Sequence, residues 1–138
     1  MEISINNVTQ KKAPPIALWL EEFLFFLKKE KGVKIPSQGE ISVAVVGEKK
    51  MASFNEIYRK KIGPTDVLSF VYEKDAKHLE GELIFCPNII EKRGKKNGLA
   101  LQEEWRRDFV HGMLHLLGMN HGKKMFDLQE KIYEKISQ

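Results

Sequence analysis

Residues 111–121 read His111-Gly112-Met113-Leu114-His115-Leu116-Leu117-Gly118-Met119-Asn120-His121. Three of the chain's four histidines lie in this window. A long helix is expected from about Leu99 to Leu117, stopped by Gly118. On a helix, positions i and i+4 are about 6 Å apart along the axis and offset by only about 40° around it. His111 and His115 can therefore reach one metal ion at ~2.0–2.1 Å each. Gly118 tolerates φ > 0 and lets the chain turn back, which brings His121 to the same ion. The spacing encodes a three-histidine site on a helix of the C-terminal half. Structural zinc sites usually close with four protein ligands, whereas catalytic sites keep one position open for water.

Outward from this helix, Lys123 to Ser137 reads as a last helix with Met125, Leu128, Ile132 and Ile136 on its inner face. On the N-terminal side, Glu91 to Gly98 carries Lys92, Arg93, Lys95 and Lys96 and reads as an exposed basic connection. Gly81 to Cys86, ended by Pro87, and Val67 to Tyr72 read as strands joined through a polar loop over 73–80. His78 in that loop is expected to be solvated. Ile41 to Val46 is β-branched and reads as a buried strand. Ile3 and Ile5 alternate with polar neighbours in a first strand. Ile16, Leu20, Phe23, Leu24 and Leu27 give one helix its apolar face, and Met51, Phe54, Ile57 and Tyr58 mark another over Glu48 to Lys61. The expected fold is α+β: a small mixed four-stranded sheet packed with four to five helices, in a single domain over 1–138.

The composition fits that reading. The chain has 138 residues and a formal net charge of 23 − 19 = +4, a mild pointer to anionic partners. With Cys86 alone it forms no internal disulfide, and Cys86 reads as a small buried hydrophobe. No stretch approaches the ~20 apolar residues of a membrane span. The N-terminus lacks a basic and an apolar signal region, so a cytoplasmic protein is expected.

A second stretch carries chemistry. Asn55-x-x-Tyr58-Arg59 runs through Lys60 and Lys61 into Gly63-Pro64-Thr65-Asp66-Val67-Leu68-Ser69-Phe70. Arg59 lies near a helix end before a turn, and its fork of donors fits a phosphate bidentately. A solvated helix-end cation is the alternative reading of these residues. Thr65 and Asp66 are expected to fix the turn by side-chain to backbone bonds. Lys60, Lys61 and the lysines and arginine of 92–96 are expected to form a phosphate-tracking surface. Asp108, one turn before His111, reads as a solvent-facing charge, or else as a group that orients a ligand imidazole.

The histidine motif is similar to the zinc-peptidase pattern His-Glu-x-x-His-x-x-Gly-x-x-His, but Gly112 stands where the peptidase has its glutamate base. Taken with Asn55 to Phe70 and Gly81 to Leu83, it resembles the YbeY family of bacterial endoribonucleases. That resemblance implies a zinc ion on His111, His115 and His121, a functional arginine at Arg59, and cleavage of single-stranded RNA rather than DNA. It also implies work on the ribosome, at the 3′ end of small-subunit ribosomal RNA, and in ribosome quality control. Asn120 and Glu82 depart from the acidic residue and the aspartate of the family pattern. The rival readings are a non-catalytic ribosome- or RNA-binding factor that uses zinc for shape, and a metallopeptidase, which Gly112 disfavours.

Overall fold

A computed structural model describes residues 1–136. Its elements are β1 (Glu2–Asn7), α1 (Ile16–Leu27), β2 (Gln38–Val45), α2 (Glu48–Arg59), β3 (Val67–Lys74), β4 (His78–Phe85), α3 (Pro87–Asn97), α4 (Leu101–Leu116) and α5 (Lys123–Lys135). The four strands form one mixed sheet in the order β1-β2-β4-β3. β1 and β4 run parallel to β2, and β3 pairs antiparallel with β4 as a hairpin. The α+β class and the mixed four-stranded sheet are as the sequence indicates. Among the described residues no helix is long and apolar enough to cross a membrane.

The sheet buries apolar groups on both faces. Strand alternation puts Ile41, Val43 and Val45 of β2 and Leu79, Leu83 and Phe85 of β4 on the inner face. There they meet α1, α4 and α5 in the main core. Trp19 and Phe23 of α1 pack on Phe109 of α4 with ring centroids 5.9 and 6.1 Å away. The outer face carries a smaller cluster, where Val46, Leu68, Ile84 and Cys86 meet Met51 of α2. Cys86 is fully buried, the small hydrophobe that the sequence suggests.

Three local expectations change. The basic stretch Glu91 to Gly98 is no loose connection but most of α3. Pro87 opens this helix at a position where a missing N–H costs nothing, and Gly98 ends it in the left-handed region. Ile90 and Gly94 face inward, so the lysines are its wet side. The 73–80 loop is shorter than expected, because β3 runs to Lys74 and β4 begins at His78. His78 is half-buried, with Nε2 3.2 Å from Glu80 Oε1, rather than free in solvent. The last helix stops at Lys135, and Ser137 lies outside the described residues.

The position of α4 on the sheet follows from two glycines. A Cβ added at Gly112 would sit 2.9 Å from Leu83 Cδ2 and 3.3 Å from Ser69 Oγ. One at Gly81 of β4 would sit 3.0 Å from Leu116 Cδ2. Ser69 Oγ also donates to the Gly112 carbonyl at 3.3 Å. The helix therefore lies so close to the strands that a side chain at either position would force Leu83 or Leu116 to shift. We expect Gly112→Ala to cost about 1–3 kcal/mol by overpacking a closed interface. Urea denaturation of the variant measures this directly.

Candidate metal centre

With Gly112 pressed to the sheet, His111 and His115 project from the neighbouring face of α4 into a cleft that Val67, Ser69 and Val71 of β3 also line. The helix ends in a Schellman motif. The Met119 N–H donates to the Leu114 carbonyl at 3.1 Å and the Gly118 N–H to the His115 carbonyl at 2.9 Å. Gly118 takes φ +87°, and Lys74 Nζ donates to the Leu117 carbonyl at 2.6 Å. This closure returns the chain so that His121 meets the helix. The His121 ring lies 5.2 Å from that of His111 and 4.6 Å from that of His115. All three histidines each offer a ring nitrogen within 4.8 Å of the others.

The tautomers follow from the neighbours. His111 Nδ1 lies 2.8 Å from Gln129 Oε1, and His115 Nδ1 lies 3.2 Å from the Met119 carbonyl. Both partners are acceptors only, so both Nδ1 atoms carry the proton. Each Nε2 is then a bare lone pair, yet the two Nε2 atoms stand 3.0 Å apart. Two nitrogens bound to one tetrahedral ion at ~2.0–2.1 Å would be roughly 3.3 Å apart, so the residues fit a shared cation. Burial, and then the His111 and His121 neighbours, hold the His115 pKa below its ordinary value. That favours the neutral ring, the form that binds metal.

Sequence reading missed the Gln129 contact to His111, because α5 brings this residue in from eighteen positions away. Two arginines of α4 hold α5 in place. Buried Arg106 donates to the Ile136 carbonyl at 3.2 Å and to Tyr133 Oη at 3.2 Å. Arg107 donates to Glu130 Oε1 at 2.6 Å. Both guanidiniums lie over the Tyr133 ring, at 4.4 and 4.2 Å.

The three histidines line a cleft of about 630 Å³ together with Arg59, Lys61, Arg93 and Arg107. Arg59 is the last residue of α2 and is exposed. Lys60, in the left-handed region, ends the helix after it, and Asn55 Nδ2 holds the following turn by donating to the Gly63 carbonyl at 2.9 Å. Among the described residues no carboxylate forms an ion pair with Arg59. Of the six basic residues expected to form a surface, only Lys61 and Arg93 line this cleft. Lys92 pairs with Glu48 and Lys95 with Glu91 instead.

Asp66 and Asp108 depart from expectation. Thr65 Oγ1 donates to Asp66 Oδ1 at 3.1 Å, and Arg93 Nη1 donates to Asp66 Oδ2. The aspartate thus ties the start of β3 to α3 through side chains, where bonds to the turn backbone were expected. Asp108 is not a solvent-facing charge: it is only 7% exposed and lies in the cleft wall near Asp66. Burial, and then the Asp66 charge, push Asp108 up to about 10. Two carboxylates enclosed together cannot both ionise cheaply. In the unfolded chain Asp108 loses its proton near pH 4; in the fold it keeps it to about pH 10. Stability should therefore fall as pH rises between those values. Denaturation of metal-free protein from pH 5 to 9 should show wild type losing stability relative to Asp108→Asn. An unchanging difference between the two would contradict this.

Comparison with known proteins gives one answer. The family model described as Endoribonuclease YbeY matches residues 4–137. A protein named Endoribonuclease YbeY from Buchnera aphidicola is 36% identical over 135 residues, spanning 95% of this chain and 82% of that protein. One of the same name from Bdellovibrio bacteriovorus is 33% identical over 143 residues, spanning 97% and 94%. The solution structure of TM1509 from Thermotoga maritima superposes with a TM-score of 0.64 at 28% identity, covering 96% of this chain and 88% of that one. With the glycine-seated helix, the converging histidines and Arg59 in one cleft, the chain belongs to the YbeY endoribonuclease family.

Proposed function

We propose that residues 1–138 act as one zinc-dependent, single-strand-specific endoribonuclease in the cytoplasm, working on the ribosome at the 3′ end of small-subunit ribosomal RNA and in ribosome quality control. The observation that carries this reading is the pair of bare imidazole nitrogens 3.0 Å apart, facing a cleft that also holds an arginine without a carboxylate partner. His111, His115 and His121 would hold the ion. When bound, such an ion supplies a Lewis acid for a phosphate oxygen and makes a water more acidic near neutral pH.

The remaining chemistry belongs to the chain. Phosphodiester cleavage builds negative charge on phosphate oxygens in the transition state. A donor accelerates the step only if it binds that charge better than it binds the ground state. Arg59, whose backbone the α2 cap and the Asn55 bond hold beside the cleft, offers such a donor. Lys61, Arg93 and Arg107 add positive charge for the flanking phosphates. Arg93 and Arg107 are each held by a carboxylate, so their forks reach the cleft pre-oriented. Gln129 and the Met119 carbonyl keep two rings in the tautomer that turns Nε2 outward.

The alternative is a non-catalytic RNA-binding factor. Removal of the ion by a chelator separates the two. We expect cleavage of unstructured RNA to vanish while RNA binding persists, and zinc to restore cleavage. The double variant His111→Ala/His115→Ala should purify with far less than one zinc per chain, by metal analysis. Normal zinc content in that variant would overturn the ligand assignment.

Arg59→Glu should keep zinc and fold yet lose RNA cleavage by at least about a hundredfold, the scale for one oriented donor to a transition-state oxyanion. Arg59→Lys should recover little, because an ammonium lacks the fork. A cleavage time course, with zinc content and thermal melting on the same samples, checks both.

A further inference from the structure

The outer face of the sheet carries a second cavity, of about 290 Å³, beside the catalytic cleft. Its walls include the rings of Phe54, Tyr58, Phe70 and Tyr72, with Glu82 of β4 and Lys50 of α2 among its polar groups. Tyr58 and Tyr72 are 61% and 65% exposed, costly for rings with nothing to cover them. Tyr58 packs edge-on to Phe70 at 5.2 Å, so the wall has a fixed shape. Tyr72 Oη donates to Glu82 Oε1, which leaves Glu82 Oε2 as an acceptor.

This groove and the catalytic cleft lie on opposite faces of β3 and meet only across that strand and the end of α2. β3 is an edge strand, and its side chains alternate between the two sheet faces. Val71 lines the cleft, whereas Phe70 and Tyr72 line the groove. On α2 the successive residues Tyr58 and Arg59 divide in the same way. A strand whose phosphate lies at Arg59 can therefore turn its neighbouring base over the β3 edge into the groove.

The charges say which part of a nucleotide enters. Glu82 repels phosphate. Further along the same face, Glu2, Glu40, Glu80 and Glu73 stand in register across all four strands. This acidic row bars a polynucleotide backbone from crossing the sheet. Aromatic faces accept an unstacked base. A carboxylate oxygen that only accepts selects a base edge that donates. Guanine presents two adjacent donors, N1–H and the 2-amino group; adenine and cytosine present one amino group, and uracil one ring N–H.

We propose that this groove binds one guanine of the single-stranded substrate, stacked on Tyr58 and Tyr72 and read by Glu82, next to the nucleotide held at Arg59. The proposal rests on the endoribonuclease reading. It makes cleavage site-selective, with the cut at a fixed step from a guanosine.

The test uses zinc-loaded protein and single-stranded oligouridylates carrying one central guanosine, adenosine or inosine, or one 2-aminopurine as a stacking probe. We expect cleavage at a fixed position relative to guanosine, about tenfold faster than for the adenosine oligomer, with inosine between. Glu82→Gln should erase this preference. Tyr58→Leu and Tyr72→Leu should each weaken binding about tenfold, as for loss of one stacked base. Both should abolish quenching of 2-aminopurine on mixing. Arg59→Glu should lose cleavage and keep the quenching, which separates the groove from the catalytic cleft. Equal cleavage of all three oligomers, unchanged by the three groove variants, would overturn the proposal and leave the groove to a protein partner. If wild type cleaves none of them, the nuclease reading fails, and the quenching still decides the groove: quenching lost in the tyrosine variants supports it, and its absence in wild type refutes it.

Discussion

Gly112 holds α4 so close to β3 and β4 that even a methyl group would collide with Leu83. That contact sets the rotation of the helix about its own axis. Once Gly112 faces the sheet, the neighbouring side chains of the 3.6-residue repeat must face elsewhere, and His111 and His115 come up together at the cleft. The same contact accounts for the absence of a peptidase-like base. A glutamate at 112 would have to displace Leu83 and Ser69, so the seating of the helix leaves no room for that base although the histidine spacing is the same. The site is in this sense a product of core packing, with its histidines placed by a backbone that has no side chain where they begin.

Electrostatics then divides the molecule. A net charge of +4 is spread unevenly. Arginines and Lys61 gather around the histidines, while glutamates occupy the far side of the sheet as a cross-strand row. Like charges directly opposite one another weaken a sheet, so this row costs stability. The cleft carries its own pair of carboxyl groups, where Asp108 holds its proton beside Asp66, the side chain to which Arg93 donates. That bond keeps Arg93 aimed into the cleft, where a phosphate would come.

The sequence announced what local chemistry can announce. The histidine spacing and Gly118 marked a turn that gathers three imidazoles, which the Schellman closure realises. The β-branched run at Ile41 to Val46 marked a central strand, and Arg59 before Gly63-Pro64 marked a cation at a helix end. Hidden was whatever depended on distant segments meeting. Gln129 sits one helix away from the ring it orients, and nothing in its neighbours on α5 sets it apart. Asp108 read as a surface charge because helix periodicity alone does not reveal that β3 brings Asp66 against it. The helix α3 was missed for a different reason. Its lysines outweighed its punctuation, although Pro87 at its start and Gly98 just past its end were readable signals.

The central claim is that one ion sits among three imidazoles with a fourth position open. X-ray absorption at the zinc edge of the loaded protein tests it most directly. The account predicts a four-coordinate spectrum, with three nitrogen ligands showing imidazole outer-shell scattering and one further light atom, all at about 2.0–2.1 Å. A sulfur shell near 2.3 Å, or oxygen ligands without imidazole scattering, would place the metal elsewhere and contradict it.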